Sequence, residues 1–350
     1  MSKIAGLSSR ALYAKAKAMF VPQLSDEVYA DLASCTQLSE FTAYLKNKTP
    51  YGEAFEAVGA TGRLSRRQIE GVVKRMTLVR LEKLLRYAAL CDNGVAEYFR
   101  WKHECECIVR RLRQSGTYEM DSYFMYIPDG FFKKTSFDLY ALERASTPQS
   151  VLEVLKGTVY EKPLARVLTE RGAGNERQTP ENLLYAGLYE RSAAYFKKKL
   201  SGAEYAEIEK LLATLGDMLT IATLYRIKMY YPEHEDPLKL HVYRSPLTRL
   251  TPSERASLEH ASDPEAFVQT LEKGCYKKAA ELLRGSHAAF FTRQYIYDIC
   301  RKSFSTTSSA ALTALCYSAC ISAEADNLIL LAEGVGMGAD PAEMQALLIR

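Results

Sequence analysis

Apolar positions recur along this chain at intervals of three and four, the pattern of helices that turn one face to a core. From Gln68 to Leu90 the stripe runs through Ile69, Val72, Val73, Met76, Leu78, Val79, Leu81, Leu84, Leu85 and Ala88, with charges on the other face. Tyr205 to Tyr230 and Ala310 to Glu333 read the same way. Clean two-residue alternation is rare, and Tyr118 to Ile127 is the one segment where the pattern fits a short strand. The fold class this predicts is all-α.

The helical pattern repeats. Three segments align: Thr36-Gln37-Leu38-Ser39-Glu40-Phe41 through Leu45 to Tyr51, Ser146-Thr147-Pro148-Gln149-Ser150-Val151 through Leu155 to Tyr160, and Ser262-Asp263-Pro264-Glu265-Ala266-Phe267 through Leu271 to Tyr276. Thr36, Ser146 and Ser262 are expected to cap a helix with a side-chain oxygen, and Pro148 and Pro264 to stand in the first turn, where a missing N–H costs nothing. Gly157 and Gly274 are expected to end that helix before the tyrosine. Upstream, Leu32, Leu142 and Leu258 keep the register, as do Val21, Phe131 and Leu247. Downstream lies a second shared block: Glu104-x-x-Cys107-Ile108 ending at Arg113, Asp217-x-x-Thr220-Ile221 ending at Arg226, and Glu324-x-x-Asn327-Leu328 ending at Glu333. The ordered set recurs at a spacing of roughly 110 residues, which implies three related helical domains, 1–126, 127–240 and 241–350. The N- and C-terminal segments can pack together in the first. Loops at Tyr126 to Gly130 and at Tyr231 to Pro246, the latter rich in proline and charge, mark the boundaries.

Length and composition agree with several helical cores. A chain of 350 residues exceeds one usual domain. Its charge of +4 is too small an excess to point to nucleic acid as a partner. No stretch is seen to approach the roughly 20 apolar residues that span a bilayer, and the start lacks the apolar core of a secretion signal. Eight scattered cysteines suit a reducing cytosol better than a disulfide framework.

The acid-x-x-polar-aliphatic block, the Ile127-Pro128-Asp129-Gly130-Phe131 turn, Gly157-Thr158-x-Tyr160, Asn327-Leu328 with Ala332-Glu333-Gly334, and Pro341-Ala342-Glu343-Met344 carry a family likeness. Over essentially the whole chain the sequence resembles the C subunit of bacterial and archaeal V/A-type ATPases, whose eukaryotic counterpart is the d subunit of the V-ATPase. The resemblance implies three similar helical domains in a funnel of approximate threefold symmetry. It implies a non-catalytic central-stalk connector on the cytoplasmic side of the membrane, peripheral, with one copy per complex and no homo-oligomer. Its partners would be the rotor shaft subunits and the membrane rotor ring, and its work the coupling of ATP turnover to proton or sodium transport. The chain departs from the family at Cys107 and Thr220, where asparagine is common, and at Ser245-Pro246, where the second copy lacks the turn glycine. A generic all-α scaffold for protein–protein interaction is the alternative, disfavoured because such repeats are shorter, roughly 34 to 47 residues.

Candidate chemistry is sparse. His103-Glu104-Cys105-Glu106-Cys107 is the most metal-like run, but residues two apart on a helix diverge, so Cys105 and Cys107 do not readily share a tetrahedral ion. Cys316 and Cys320 share a helix face and read as small core residues. Gly334-Val335-Gly336-Met337-Gly338 follows a helix rather than a strand, so it reads as a helix terminator and not a nucleotide loop. Lys197-Lys198-Lys199 suits a helix C-terminus, and under the family likeness a partner or lipid headgroups. Asp217 and Arg226, nine apart, are expected on nearly one face, bonding within or between helices. No catalytic, cofactor or metal residue and no cofactor or small-molecule substrate is assigned, and no nucleophile elbow or paired-acid motif occurs.

Overall fold

Stripes of this period must bury themselves against one another, and here they do so helix on helix. The computed structural model describes residues 3–20, 24–59, 62–113, 123–132, 134–170, 180–230, 245–285 and 290–350, with no strand among them. First come α1 (Lys3–Phe20), α2 (Asp26–Ser34), α3 (Leu38–Lys48), α4 (Gly52–Ala57) and α5 (Arg66–Ala88). Then follow α6 (Val95–Arg113), α7 (Asp129–Phe132), α8 (Leu139–Arg144), α9 (Pro148–Val154), α10 (Glu161–Glu170), α11 (Pro180–Lys199) and α12 (Gly202–Tyr230). The order closes with α13 (Pro252–Glu259), α14 (Pro264–Lys273), α15 (Lys277–Arg284), α16 (Phe291–Thr306), α17 (Ala310–Met337) and α18 (Pro341–Ala346).

The three long stripes read from the sequence are α5, α12 and α17. The expected strand is corrected: Tyr123–Tyr126 is a single 3-10 turn, and residues 118–122 lie outside the described ones. That turn is held by α5. The Tyr126 ring lies where a Cβ on Gly71 would stand 2.4 Å from it, and Arg75 donates to the Tyr126 carbonyl at 3.3 Å. The expectation about apolar length is corrected as well. Among the described residues one helix, α17, is long and apolar enough to cross a membrane, yet 72% of its most apolar window is buried inside the protein. A helix apolar on all sides fits a core helix.

The repeat's apolar grammar holds. Phe41, Val151 and Phe267 are fully buried, as are Leu32, Leu142 and Leu258, and Leu45, Leu155 and Leu271 are buried beside them. Phe131 is buried and Leu247 half-buried, while Val21 lies outside the described residues. The caps stand one residue later than expected. Thr147 and Asp263 accept from the amides of Ser150 and Ala266, with Pro148 and Pro264 in the first turn, and Gln37 occupies the cap of α3 without a side-chain bond.

The chain divides into two compact units. One comprises residues 1–95, 118–134 and 297–350. Its core joins Leu32, Phe41, Leu45 and Phe55 from α2–α4 and Ile69, Val73 and Met76 of α5 with Leu328, Leu331 and Val335 of α17, and Met344 and Leu348 close it. The other comprises residues 96–117 and 135–296. There α11 packs along α12 and α14 along α15, burying Leu184, Phe196, Leu212, Ile221, Phe267 and Leu271. The expected loop at Tyr231 to Pro246 is described only from Ser245 onward.

Candidate functional site

Each copy of the repeat supplies an acid on a long helix and a tyrosine at the start of a short one, and folding joins the two. Tyr160 donates its hydroxyl to Glu104 at 2.6 Å, Tyr276 to Asp217 at 2.5 Å, and Tyr51 to Glu324 at 2.8 Å. Each carboxylate also accepts a backbone N–H from the stretch just before a short helix: Ser136 on Glu104 at 2.7 Å, Arg249 on Asp217 at 2.8 Å and Leu24 on Glu324 at 3.1 Å. The acids are 0%, 3% and 4% exposed, so these bonds replace water outright.

Further groups join the sets at Glu324 and Asp217. Arg80 on α5 donates to Glu324 at 2.6 Å and lies over the Tyr51 ring, 5.3 Å from its centre. Thr248 donates to Asp217, and Arg249 lies 5.4 Å over the Tyr276 ring while bonding the Thr214 hydroxyl. On α11, Arg191 lies 3.7 Å over the Trp101 ring. Burial first, then the neighbouring acid, raises the pKa of Tyr51 and Tyr276. For Tyr160 burial again leads, with Cys105 and Glu104 adding to it. All three phenols therefore stay protonated and remain donors. For Arg80, burial pulls the pKa down, but Glu324 and Tyr51 outweigh it and the net change is upward.

Each carboxylate thus accepts two or three hydrogen bonds from within the protein: Glu104 two, Asp217 and Glu324 three each. It ties three segments of chain together, and a satisfied buried polar network fixes one packing. The small polar position of the block differs by copy. The Asn327 amide donates to the Ile349 carbonyl at 2.9 Å and accepts its N–H at 2.8 Å. Thr220 bonds the Gly216 carbonyl on its own helix, and Cys107 lies 3.6 Å from His103 Nε2.

The other singled-out residues fall as follows. His103 and Cys107 share a buried face, but Cys105 donates to the Leu184 carbonyl instead. Among the described residues no group of three or more His, Cys, Asp or Glu is placed to hold a metal ion. Burial drives the His103 pKa down to about 4, with Glu106 opposing and Lys102 adding to it. Cys316 and Cys320 are buried in α17. In the glycine run only Gly338 terminates the helix, with φ +69° and the Ala339 N–H donating to Gly334 O at 2.9 Å. Gly334 lies inside α17, where a Cβ would reach 2.1 Å from the Met344 sulfur, so the expectation that all three glycines end the helix is corrected. Lys197 and Lys198 are exposed at the end of α11, and Lys199 leans over the Tyr195 ring at 5.7 Å.

Asp217 and Arg226 are not brought onto one face: Asp217 is buried and Arg226 exposed. Nine residues at 3.6 per turn make about two and a half turns, which sets them opposite. The corresponding end residues do join helices elsewhere, Arg113 with Glu181 and Arg66 with Glu333. Sequence reading missed the acid–tyrosine pairing itself. Its one visible signal was that both residues persist in all three copies while their neighbours vary.

Residues 12–347 match the family described as ATP synthase (C/AC39) subunit. The chain is also similar to the C subunit of the A-type ATP synthase of Pyrococcus furiosus, 24% identical over 283 residues that cover 79% of this chain and 70% of that one.

Proposed function

The chain belongs to the ATP synthase (C/AC39) subunit family, and on that premise we propose that it is a non-catalytic connector in the central stalk of a V/A-type rotary ATPase. As a subunit of such a complex it associates peripherally with the membrane. Our reading adds the place: the cytoplasmic side, one copy per complex, between the rotor shaft and the membrane ring, where it couples ATP turnover to proton or sodium movement. One observation carries this. The three most buried acids among the described residues, Glu104, Asp217 and Glu324, serve as ties in three repeated staples, which suits a part that transmits torque by holding its shape. Rotation loads a connector mechanically, and hydrogen-bonded buried polar networks rigidify the packing they join.

Purification of the native protein from detergent-solubilised membranes, with identification of its companions, tests the reading. Shaft and ring subunits in stoichiometric amounts are the expected result. Recovery with unrelated partners, or free of any other part of the ATPase, would overturn it in favour of a general helical scaffold.

A further inference from the structure

We infer that the structural repeat starts at the acid-bearing helix and ends after the tyrosine that staples it, so that one copy is divided between the N-terminal and C-terminal stretches and Glu324 is the tie that closes it. The pairing runs forward in two cases. Glu104 on α6 takes Tyr160, and Asp217 on α12 takes Tyr276, each tyrosine belonging to the next segment of the sequence repeat. Glu324 on α17 takes Tyr51 instead, 273 residues earlier, together with Leu24 N–H and Arg80. The chemistry of the three sites is the same, a buried carboxylate bound by a phenol and a backbone amide. Only the direction along the chain differs.

Everything around Glu324 serves the same closure. The apolar face of α2–α4, Leu32, Phe41 and Leu45, is covered by Leu328, Leu331 and Val335 of α17. Asn327 clamps Ile349 through two hydrogen bonds, α18 packs on α2, and Arg350 lies 3.5 Å from Asp26. Leu38 of α3 meets Gly336. Residues 1–95 and 297–350 also gather, with 118–134, in one compact unit.

A consequence follows for folding. Short amphipathic helices are marginal alone and draw their stability from the partner that covers them. The α2–α4 segment is therefore completed only by the last long helix, although its residues come first. Local opening of α2–α4 and of the Glu324 turn of α17 becomes one cooperative event.

Hydrogen exchange of the full chain, read by peptide, tests this. Glu324→Ala is expected to speed exchange about tenfold or more in residues 25–57 while leaving residues 148–170 and 180–199 unchanged, and Glu104→Ala to do the reverse. Should Glu324→Ala not fold, Tyr51→Phe and Asn327→Ala carry the same regional comparison. Pulse labelling during refolding of the unaltered chain should show α2–α4 gaining protection in the same phase as α17. Protection of 25–57 that survives loss of Glu324, or that appears before α17 is protected, would overturn the inference.

Discussion

Removing the Tyr51 hydroxyl leaves Glu324 with its arginine and its backbone amide, whereas removing Glu324 leaves the largely buried Arg80, 11% exposed, without its carboxylate. Tyr51→Phe is therefore expected to cost about 1.5–3 kcal/mol, one hydrogen bond to a charged group. Glu324→Ala should cost about 3–5 kcal/mol, the penalty for a stranded buried charge. Urea unfolding midpoints of the two variants give the order. The phenol also sets an alkaline limit. Its folded pKa lies above the unfolded value of about 10, so its contribution is complete below pH 10 and lost as the pH rises further. Tyr51→Phe should flatten that loss. His103 sets the limit on the acid side. Its folded pKa of about 4 lies below the ordinary 6.5, so the unfolded chain takes up the proton first. Stability is present above pH 6.5 and falls toward pH 4, by up to about 3 kcal/mol, and His103→Gln should remove that slope in denaturation measured across this range.

Among elements, two glycines of similar appearance separate packing from propensity. Gly71 in α5 faces the Tyr126 ring at 2.4 Å from an added Cβ, whereas Gly187 in α11 has nothing within 4 Å. Gly71→Ala is expected to destabilise by about 1–3 kcal/mol through overpacking, and Gly187→Ala to stabilise by about 0.5–1 kcal/mol through helix propensity. Thermal unfolding of both variants decides it. The cap of α3 offers a gain in the other direction. Gln37 makes no capping bond there, and Glu40 stands three residues on, so Gln37→Ser sets up a capping box expected to add about 0.5–1 kcal/mol. Helices and their buried faces were legible because Phe41, Val151 and Phe267 each lie four residues before a leucine in the same register. The caps were misread by one residue because each copy offers two adjacent polar residues. Pro148 and Pro264 decide between them, since a proline at the first helical position puts the cap immediately before it. The strand expected over Tyr118 to Ile127 fails at Tyr123–Tyr126, where a 3-10 turn is pressed on α5, a contact invisible to local pattern. The acid–tyrosine ties were out of reach for the same reason: nothing local connects residue 51 to residue 324.

For the whole molecule, the ties decide what a truncation can report. A chain cut from about Tyr243 loses Tyr276 and the Arg249 amide from Asp217, and takes Glu324 and the apolar side chains of α17 away from Tyr51, Arg80 and α2–α4. Damage then reaches the first hundred residues, far from the cut in sequence. In a rotary ATPase the expected phenotype has two parts: membranes that hydrolyse ATP without pumping ions, and a truncated chain missing from the membrane fraction. Glu324→Gln is the informative companion, because the amide oxygen still accepts from Tyr51 while the charge pair with Arg80 is lost. It should assemble and pump, with a lower melting temperature. Ion pumping and ATP hydrolysis measured on the same membranes separate the outcomes. Fully coupled transport by the truncated chain would remove the connector role, and assembly with normal protection of α2–α4 would remove the closing tie while leaving the role untouched.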